Sequence, residues 1–255
     1  PAITEFFGPV PPVPPPGEYS SWQEQHAHQI LEEAHKIAAE AAQPHGGYQI
    51  TSDVLYDAPI LPTLIDLTKA AQTVVVGCRG QTAVARAVLG SVSSGLVYHA
   101  KCPVAVIHDE DSLAAVSSHA PVVVGVDGSP ASELATEIAF DEASRRGVDL
   151  QALHAWSDVQ VYELPGVDWA AVKEEAELSL AERLAGWQER YPDVTVHRLV
   201  ECDRPAEQLI EKAEGAQLVV VGSHGRGGLT GMLLGSVSNA VLHSVRMPVI
   251  VARPR

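Results

Sequence analysis

Short apolar runs alternate along this chain with longer stretches whose apolar positions recur at helical spacing. In the C-terminal half, β-branched and aliphatic runs occupy residues 121–127, 148–156, 194–200, 217–222 and 248–253. The stretches between them have the periodicity of amphipathic helices, at residues 131–147, 169–191, 205–215 and 236–245. Strands that are apolar throughout are typical of a parallel sheet covered by helices on both faces. The pattern predicts an α/β fold of the doubly wound, Rossmann-like class.

The C-terminal pattern is the second copy of an internal repeat. VVVGCRG at residues 74–80 returns as VVVGSHG at residues 219–225, and residues 89–107 match residues 234–252 without a gap. The offset is 145 residues throughout, and residues related by it are called counterparts below. Such a repeat predicts two tandem copies of one domain, a first copy over residues 1–110 and a second over residues 119–255. The acidic, Ser/Ala-rich segment between them marks the predicted boundary.

The first copy differs at its front. At the same offset Pro1 corresponds to about Arg146, so the counterparts of the first strand, its helix and most of the second strand would precede residue 1. We therefore expect a natural protein longer by about 40 residues, from the usual length of βαβ pieces. The alternative is that the proline-rich residues 9–16 belong to the true N-terminus of a divergent domain.

The rest of the first copy follows the pattern of the second. Residues 22–42 predict its long helix, residues 48–56 its third strand and residues 62–72 the next helix. Without the first two strands, residues 48–56 would have no neighbouring strand, and residues 74–78 would lose one side of their ladder. We expect the first copy to be loosened, or completed by another chain.

Charge and composition limit the classes of partner. The chain has 32 acidic and 17 basic residues, a net charge of -15, which repels phosphate backbones and anionic lipid. Neither nucleic acid nor a membrane is a predicted partner. No run of 18 apolar residues and no signal-peptide pattern is present. Three cysteines without CxxC spacing indicate neither a disulfide framework nor a zinc site, so a soluble protein of the reducing cytoplasm is predicted.

A glycine-rich loop follows the strand at residues 217–222. Its pattern is Gly222-x-x-Gly225, then nine residues, then Gly235-Ser236. The carboxyl end of a parallel strand is where open α/β sheets bind ligands. Glycines let backbone amides approach a phosphate, and a helix beginning at Ser236 would present its amides and dipole to an anion. The alternative interpretation is a turn that only caps the helix, which the duplicated spacing makes the weaker one.

These residues resemble a known family. The spacing G-x-x-G-nine-G-S after a fourth strand, with VGVDGS closing the first, is similar to the ATP-binding branch of the universal stress proteins. LHAWSD and GSHGRGGLTGMLLGSVS further resemble the tandem-domain members of actinobacteria. The resemblance covers nearly the whole chain. It implies five parallel strands in the order 3-2-1-4-5 in each domain, domains that pair through their last strands, and ATP as the ligand, with Mg²⁺ as a possible companion.

The resemblance also assigns site residues in the second copy. Gly125 and Asp127 are placed at the adenine and ribose end, and Ala155 against the base. Asp158 would accept from ribose hydroxyls, unless it is only a solvated loop acid. Asp127 could instead be the N-cap of the following helix. The residues assigned to the phosphates are Gly222, Ser223, His224, Gly225, Arg226, Gly227, Gly228, Gly235, Ser236, Val237 and Ser238.

The first copy keeps only the phosphate half of this pattern, at Gly77, Gly80, Gly90, Ser91 and Val92. Gln81, Thr82 and Ala83 stand where the second copy has Arg226, Gly227 and Gly228. The counterpart of the Asp127 loop is missing. A complete nucleotide site in the first copy is therefore not expected.

Signs of catalysis are weak. The phosphoryl-transfer pattern GxxxxGK[ST] is absent, and no lysine lies in a glycine loop. His224 is the one conceivable general base, His154 is interpreted as a core or edge histidine, and no metal site is predicted. Three hypotheses follow: an ATP-binding regulatory protein, which we favour, a slow ATPase or phosphotransferase, and a nucleotide-free scaffold. Domain pairing within the chain and a homodimer are expected, and any protein partner is left open.

Overall fold

The computed structural model describes residues 19–43, 46, 48–56, 59–78, 89–108, 117–155, 168–202, 204–226 and 233–254. The chain forms two compact units, Pro1–Pro59 and Ile60–Arg255. Within the part that the structure describes, no helix is long and apolar enough to cross a membrane.

The first unit contains helix α1 (Tyr19–Ala42). Residues 48–56 follow it without forming a strand. The hydroxyl of Tyr56 donates a hydrogen bond of 3.0 Å to Oε1 of Glu24 on α1, and this bond raises the pKa of Tyr56. The predicted third strand of the first copy is therefore wrong. A strand forms only by hydrogen bonding to another strand, and the described residues of this unit contain none with which residues 48–56 could pair.

The second unit is built on a seven-stranded sheet. Its first-copy elements are α2 (Ile60–Leu67), β1 (Val74–Gly77), α3 (Ser91–His99) and β2 (Val104–Ile107). Its second-copy elements are β3 (Val122–Gly125), α4 (Pro130–Arg146), β4 (Leu150–Ala155), α5 (Trp169–Arg190), β5 (Val196–Glu201), α6 (Pro205–Ala213), β6 (Leu218–Gly222), α7 (Ser236–Ser244) and β7 (Val249–Ala252). Helix α2 is shorter than predicted, since the Thr68 hydroxyl donates to the Ile65 carbonyl at 2.6 Å as the helix ends.

The strand order is β1-β2-β7-β6-β3-β4-β5. All neighbours are parallel except β2 and β7. The five strands of the second copy thus have the order 3-2-1-4-5, as predicted. Among the strands of the described residues, β1 pairs only with β2 and is the edge strand of the sheet.

The antiparallel pair β2 and β7, called the seam below, joins the two copies. Ala105 lies directly opposite Ile250, and these two residues are counterparts because 250 − 105 = 145. Val104 faces Val251 and Val106 faces Val249, so the register is symmetric about the central pair. A pseudo-twofold axis therefore passes between Ala105 and Ile250. The predicted pairing of the copies through their last strands is present.

Alternating strand residues fill two hydrophobic cores, one on each face of the sheet. On one face Val123, Val219 and Val221 pack with residues of α3, α6 and α7. On the other, Val122, Val124 and Val220 pack with α4 and α5. There the buried ring of Phe140 stacks on Trp187 and Tyr191, with centroid distances of 6.2 and 5.7 Å. The two layers of helices fix the direction in which the strand ends project.

Candidate functional site

A cleft of about 840 Å³ opens where β3 and β6 end. The chain leaves these adjacent strands toward opposite sides of the sheet, since β3 leads to β4 and β6 leads to β7. Such a switch point is the usual place for a ligand in an open α/β sheet. Its walls come from the loops after β3 and β6 and from the starts of α6 and α7.

The loop after β3 places Asp127 in the wall of the cleft. Oδ1 of Asp127 accepts the N–H of Ser129 at 2.9 Å, and Oδ2 accepts the N–H of Arg226 at 3.1 Å. Asp127 thus ties the loop after β3 to the loop after β6. A carboxylate has about four lone-pair sites, so capacity for further donors is left.

Ser129, and not Asp127, caps helix α4. Its hydroxyl oxygen accepts the N–H of Ser132 at 3.2 Å and donates its own hydrogen to the carbonyl of His224 at 3.0 Å. Gly128 between them has a φ of 79°, which glycine adopts without strain. The alternative that Asp127 is the N-cap is therefore wrong.

Two glycines of the β6 loop are required by close backbone approach. A Cβ on Gly222 would lie 2.8 Å from the backbone carbon of Ala131 at the start of α4. A Cβ on Gly225 would lie 2.5 Å from Oδ2 of Asp127. At Gly222 a side chain would collide with backbone, and at Gly225 it would force the Asp127 carboxylate to move, so the observed contact between this loop and Asp127 depends on glycine at these positions.

The start of helix α7 faces the cleft. Gly235 is its N-cap and supplies no side-chain cap for the first amides of the helix. Ser238 turns its hydroxyl inward and donates to the Gly222 carbonyl at 2.5 Å. Because the side chain is fixed there, the amides of the first turn remain directed to the cleft with the positive end of the helix dipole.

Apolar residues also line the cleft, and they include Val126, Leu153, Ala155, Leu209 and Val221. Leu153 and Ala155 lie on β4, which β3 separates from β6 and the start of α7. Leu153, Leu209 and Val221 belong to the hydrophobic core, so this wall is held rigidly. Small, fixed apolar surfaces of this kind suit the flat face of an aromatic ring.

The charges lining the cleft balance one another. Among the described lining residues, Arg204 and Arg226 are matched by Asp127 and Glu207, and His224 is the remaining titratable side chain. The local balance contrasts with the net charge of -15 of the whole chain. An anionic ligand would be held mainly by backbone amides, with two guanidinium groups beside it.

Arg204, at the mouth of the cleft, has a left-handed backbone with a φ of 53°. It precedes Pro205, which disfavours the right-handed helical region for it. Its Nη1 donates to Oε2 of Glu207 at 3.1 Å. A left-handed conformation costs a non-glycine residue about 1 kcal/mol, so strain is stored at this rim.

A buried histidine lies behind the cleft wall. His154 on β4 is 5% exposed, and its Nδ1 donates to the Val126 carbonyl at 2.7 Å. Burial lowers the pKa of His154, and the nearby positive charges of Arg226 and Arg183 lower it further. The neutral ring is thus a packed component of the wall, as its position within a strand suggested.

The first copy repeats the scaffold of the loop without the cleft. Gly90 donates to the Cys78 carbonyl at 2.7 Å, as Gly235 does to Ser223. The hydroxyl of Ser93 donates to the Gly77 carbonyl at 2.6 Å, as Ser238 does to Gly222. Beside β1, however, the described residues provide no counterpart of β3 and its Asp127 loop.

Comparison with known proteins agrees with this architecture. The model of the universal stress protein family matches residues 8–108 and 119–253. The chain belongs to the universal stress protein family. A universal stress protein of Mycobacterium tuberculosis is 61% identical over 243 residues, which cover 95% of this chain and 82% of that protein. A second from the same species is 56% identical over 241 residues, covering 94% and 81%.

A universal stress protein from Archaeoglobus fulgidus has a similar crystal structure. Its TM-score is 0.66 at 23% identity, and the match covers 96% of this chain and 85% of that one. At this identity the likeness establishes the fold alone. The chain therefore has two tandem universal stress protein domains with the α/β architecture of the family.

Most residues assigned by the family resemblance meet in the cleft. They are Gly125, Asp127, Ala155, Gly222, His224, Gly225, Arg226, Gly235, Ser236, Val237 and Ser238. Ser223 does not belong to the described lining. It is 2% exposed, its N–H donates to the Ala252 carbonyl, and its carbonyl accepts from Gly235. Asp158, Gly227, Gly228 and Gly80 lie outside the described residues. Gly77, Gly90, Ser91 and Val92 lie at the separate first-copy loop.

The sequence did not reveal the rim formed by the start of α6. Arg204, Pro205, Glu207 and Leu209 line the cleft, although β5 is two strands away from β3. The signal available was a helix that begins with proline directly after the third strand. The packing of α6 against α7, β3 and β4 brings this helix over the cleft.

Proposed function

We propose that the second copy binds ATP in this cleft and that the protein acts as a nucleotide-responsive regulatory module. One observation carries the proposal. One cleft is lined by apolar residues of β4 and by an uncapped helix N-terminus beside β6, and the carboxylate of Asp127 follows β3, the strand between them. These features match, in order, a base, a chain of phosphates and a ribose.

Each part of the nucleotide has a partner of suitable chemistry. The base would pack on Leu153, Ala155 and Leu209, where burial of a flat aromatic surface is favourable. The ribose hydroxyls would donate to Asp127. The phosphates would accept from the amides at the start of α7 and from the loop after β6. The last two contacts are electrostatic and local, so they tolerate the negative charge of the whole protein.

The proposed role is binding without turnover. Phosphoryl transfer needs concentrated positive charge on the transferred group and a positioned nucleophile. The described lining of the cleft includes two arginines, of which Arg204 is paired with Glu207, and His224 has its Nδ1 3.1 Å from the hydroxyl of Ser223.

We further propose a cytoplasmic protein that forms homodimers and has neither nucleic acid nor a membrane as partner.

The first test is the nucleotide carried by the protein. Mass spectrometry of nucleotide released from the purified, denatured protein should identify ATP, and isothermal titration with and without Mg²⁺ should give its affinity. A protein that neither carries nor binds nucleotide would refute the proposal in favour of a scaffold. Sustained multiple-turnover phosphate release would indicate an ATPase instead.

A matched pair of variants tests which copy binds. Ser236→Glu and Ser91→Glu place the same negative charge at the first position of counterpart helices, both at exposed sites. A carboxylate there is favourable for the helix itself, so folding is preserved. We expect Ser236→Glu to weaken ATP binding more than about tenfold, which is 1.4 kcal/mol, and Ser91→Glu to leave it unchanged. The reverse result would contradict the assignment to the second copy.

A further inference from the structure

Arg253, directly after β7, contacts both copies at once. Its Nη1 donates to the Val97 carbonyl at 2.8 Å and its Nε to the Ala100 carbonyl at 3.1 Å, both in the first copy. Nη1 also donates to the Leu233 carbonyl of the second copy at 3.0 Å. One guanidinium group therefore joins two segments that belong to different domains.

The first-copy end of this contact is the C-terminus of helix α3. Ala100 is the C-cap, and Val97 belongs to the last turn, whose carbonyls have no partner within the helix. Val97 and Ala100 are 0% and 2% exposed, so an unpaired carbonyl would be costly there. The positive guanidinium also faces the negative end of the helix dipole. Arg253 is thus firmly held on the first-copy side.

The second-copy end leads directly into the phosphate-binding segment. Leu233 lies two residues before Gly235, the N-cap of α7. In the proposed function, the amides of residues 236–238 donate hydrogen bonds to the phosphates. The position of the Leu233 carbonyl therefore affects where α7 begins, and Arg253 fixes that carbonyl from the seam.

We propose that Arg253 is a positioning residue for the phosphate-binding start of α7 and couples its occupancy to the seam between the copies. This inference rests on the proposed function for the identity of the ligand. Phosphates that fix residues 233–238 favour the hydrogen bond from Arg253 to the Leu233 carbonyl. They thereby favour the arrangement in which Arg253 also binds the C-terminus of α3. By linkage, tightening of the seam strengthens nucleotide binding by the same factor.

Burial supports this role. Desolvation lowers the pKa of Arg253, while the group remains a cation at neutral pH. A partly desolvated cation that loses a carbonyl partner cannot recover the full hydration it has in water. The three bonds are therefore kept together, which is the condition for transmitting a displacement from one end to the other.

The chain contains a matched control, because His108 is the counterpart of Arg253. Nε2 of His108 donates to the Leu242 carbonyl at 3.0 Å, and Leu242 is the counterpart of Val97. This contact also crosses the seam, yet it reaches the last turn of α7 instead of the segment before its start. Arg253→Met and His108→Met each remove a side chain that bonds across the seam to the last turn of a helix, and only the first also removes the bond to the Leu233 carbonyl.

The experiment has a readout that does not need nucleotide. Hydrogen exchange of the nucleotide-free protein should quicken at the amides of Gly235 and Asn239, which donate to the carbonyls of Ser223 and Gly235, in Arg253→Met and not in His108→Met. Arg253→Lys should restore part of the protection. Equal exchange in both Met variants would overturn the positioning role. Circular dichroism melts establish that the variants are folded. If Arg253→Met does not fold, Arg253→Lys replaces it in the comparison with His108→Met.

The second readout is ATP affinity by isothermal titration. Arg253→Met should weaken binding about fivefold or more, the lower range of measured couplings, and His108→Met should not. Saturating ATP should also slow exchange at residues 97–100 in the wild type and not in Arg253→Met. Unchanged affinity in Arg253→Met would overturn the coupling. A wild type that binds no ATP would refute the proposed function, while the first readout still decides the positioning role.

Discussion

Val75 and Val220 are counterparts in the repeat, yet 63% of Val75 is exposed whereas Val220 is fully buried. Both lie in strands of the sequence VVVG. Val220 has β3 on one side and β7 on the other, while among the described strands Val75 pairs with β2 alone. Val220 also packs against helix α4, whereas the described residues provide no counterpart of α4 to cover Val75. The packing partners, and not the local sequence, decide the environment of these two residues.

This difference predicts amide exchange at the edge of the sheet. Val74 donates to the Pro103 carbonyl and Cys78 to the Ile107 carbonyl, so by alternation the amides of Val75 and Gly77 point away from β2. We expect these two amides to exchange far faster than that of Val220, because an unpaired edge is open to water. Val74 is the internal control and should stay protected. If Val75 exchanged as slowly as Val220, another strand would have to cover β1 in solution.

A second prediction concerns the close approach of the two loops at the cleft. In Gly225→Val the new side chain would collide with Oδ2 of Asp127, displacing the carboxylate and the Arg226 amide that it accepts. ATP affinity should fall more than about tenfold, or 1.4 kcal/mol, in isothermal titration. Gly215→Val is the control, since a Cβ there meets nothing within 4 Å. Equal affinities for the two variants would remove the loop from the binding site.

The order of the strands and the seam were implied by the resemblance to the universal stress proteins, and the repeat with its fixed offset located the matching strands of the two copies. Gly77 and Gly222 align with the residues around them, and a doubly wound fold leaves few arrangements for such a pattern. The phosphate side of the cleft was predictable for the same reason. Its glycines are required by backbone contacts that the spacing preserves.

Other features depend on geometry that one sequence does not contain. Asp127 and Ser129 are both favourable N-cap residues, and only the turn at Gly128 selects Ser129. Residues 48–56 have the composition of a strand but need a partner to become one. From sequence alone a left-handed backbone would be expected at glycine or asparagine, and not at Arg204. The packing of α6 sets this conformation.

Arg204 provides a third prediction, in which strain and charge are separated. Arg204→Gly should raise the free energy of unfolding by up to about 1 kcal/mol, because glycine adopts a φ of 53° without strain. Arg204→Ala keeps the strain and should give no such gain. The ion pair with Glu207 contributes little, since the two side chains are 51% and 68% exposed.

The same two variants should both weaken ATP binding, because each removes one of the two guanidinium groups at the cleft. Urea denaturation measures the first effect and isothermal titration the second. A gain in stability for Arg204→Ala equal to that of Arg204→Gly would contradict the strain argument. Unchanged affinity in both would separate the rim from the binding site.

The last prediction concerns the pH dependence of stability through His154. Burial lowers the pKa of His154 below its ordinary value of 6.5, so the folded state binds the proton less readily than the unfolded chain does. Above pH 6.5 the ring is neutral in both states and its packing contributes fully. As the pH falls from 6.5 toward the lowered pKa, the unfolded chain binds a proton that the folded state does not bind. The contribution of His154 to the free energy of unfolding then falls by at most about 1.4 kcal/mol per pH unit.

His154→Gln retains a donor for the Val126 carbonyl and does not titrate. Urea denaturation at pH 7.5 and 5.5 should therefore show a smaller acid-induced loss for His154→Gln than for the wild type, the other histidines acting equally in both proteins. Identical losses would mean that His154 is protonated in the folded state as easily as in water.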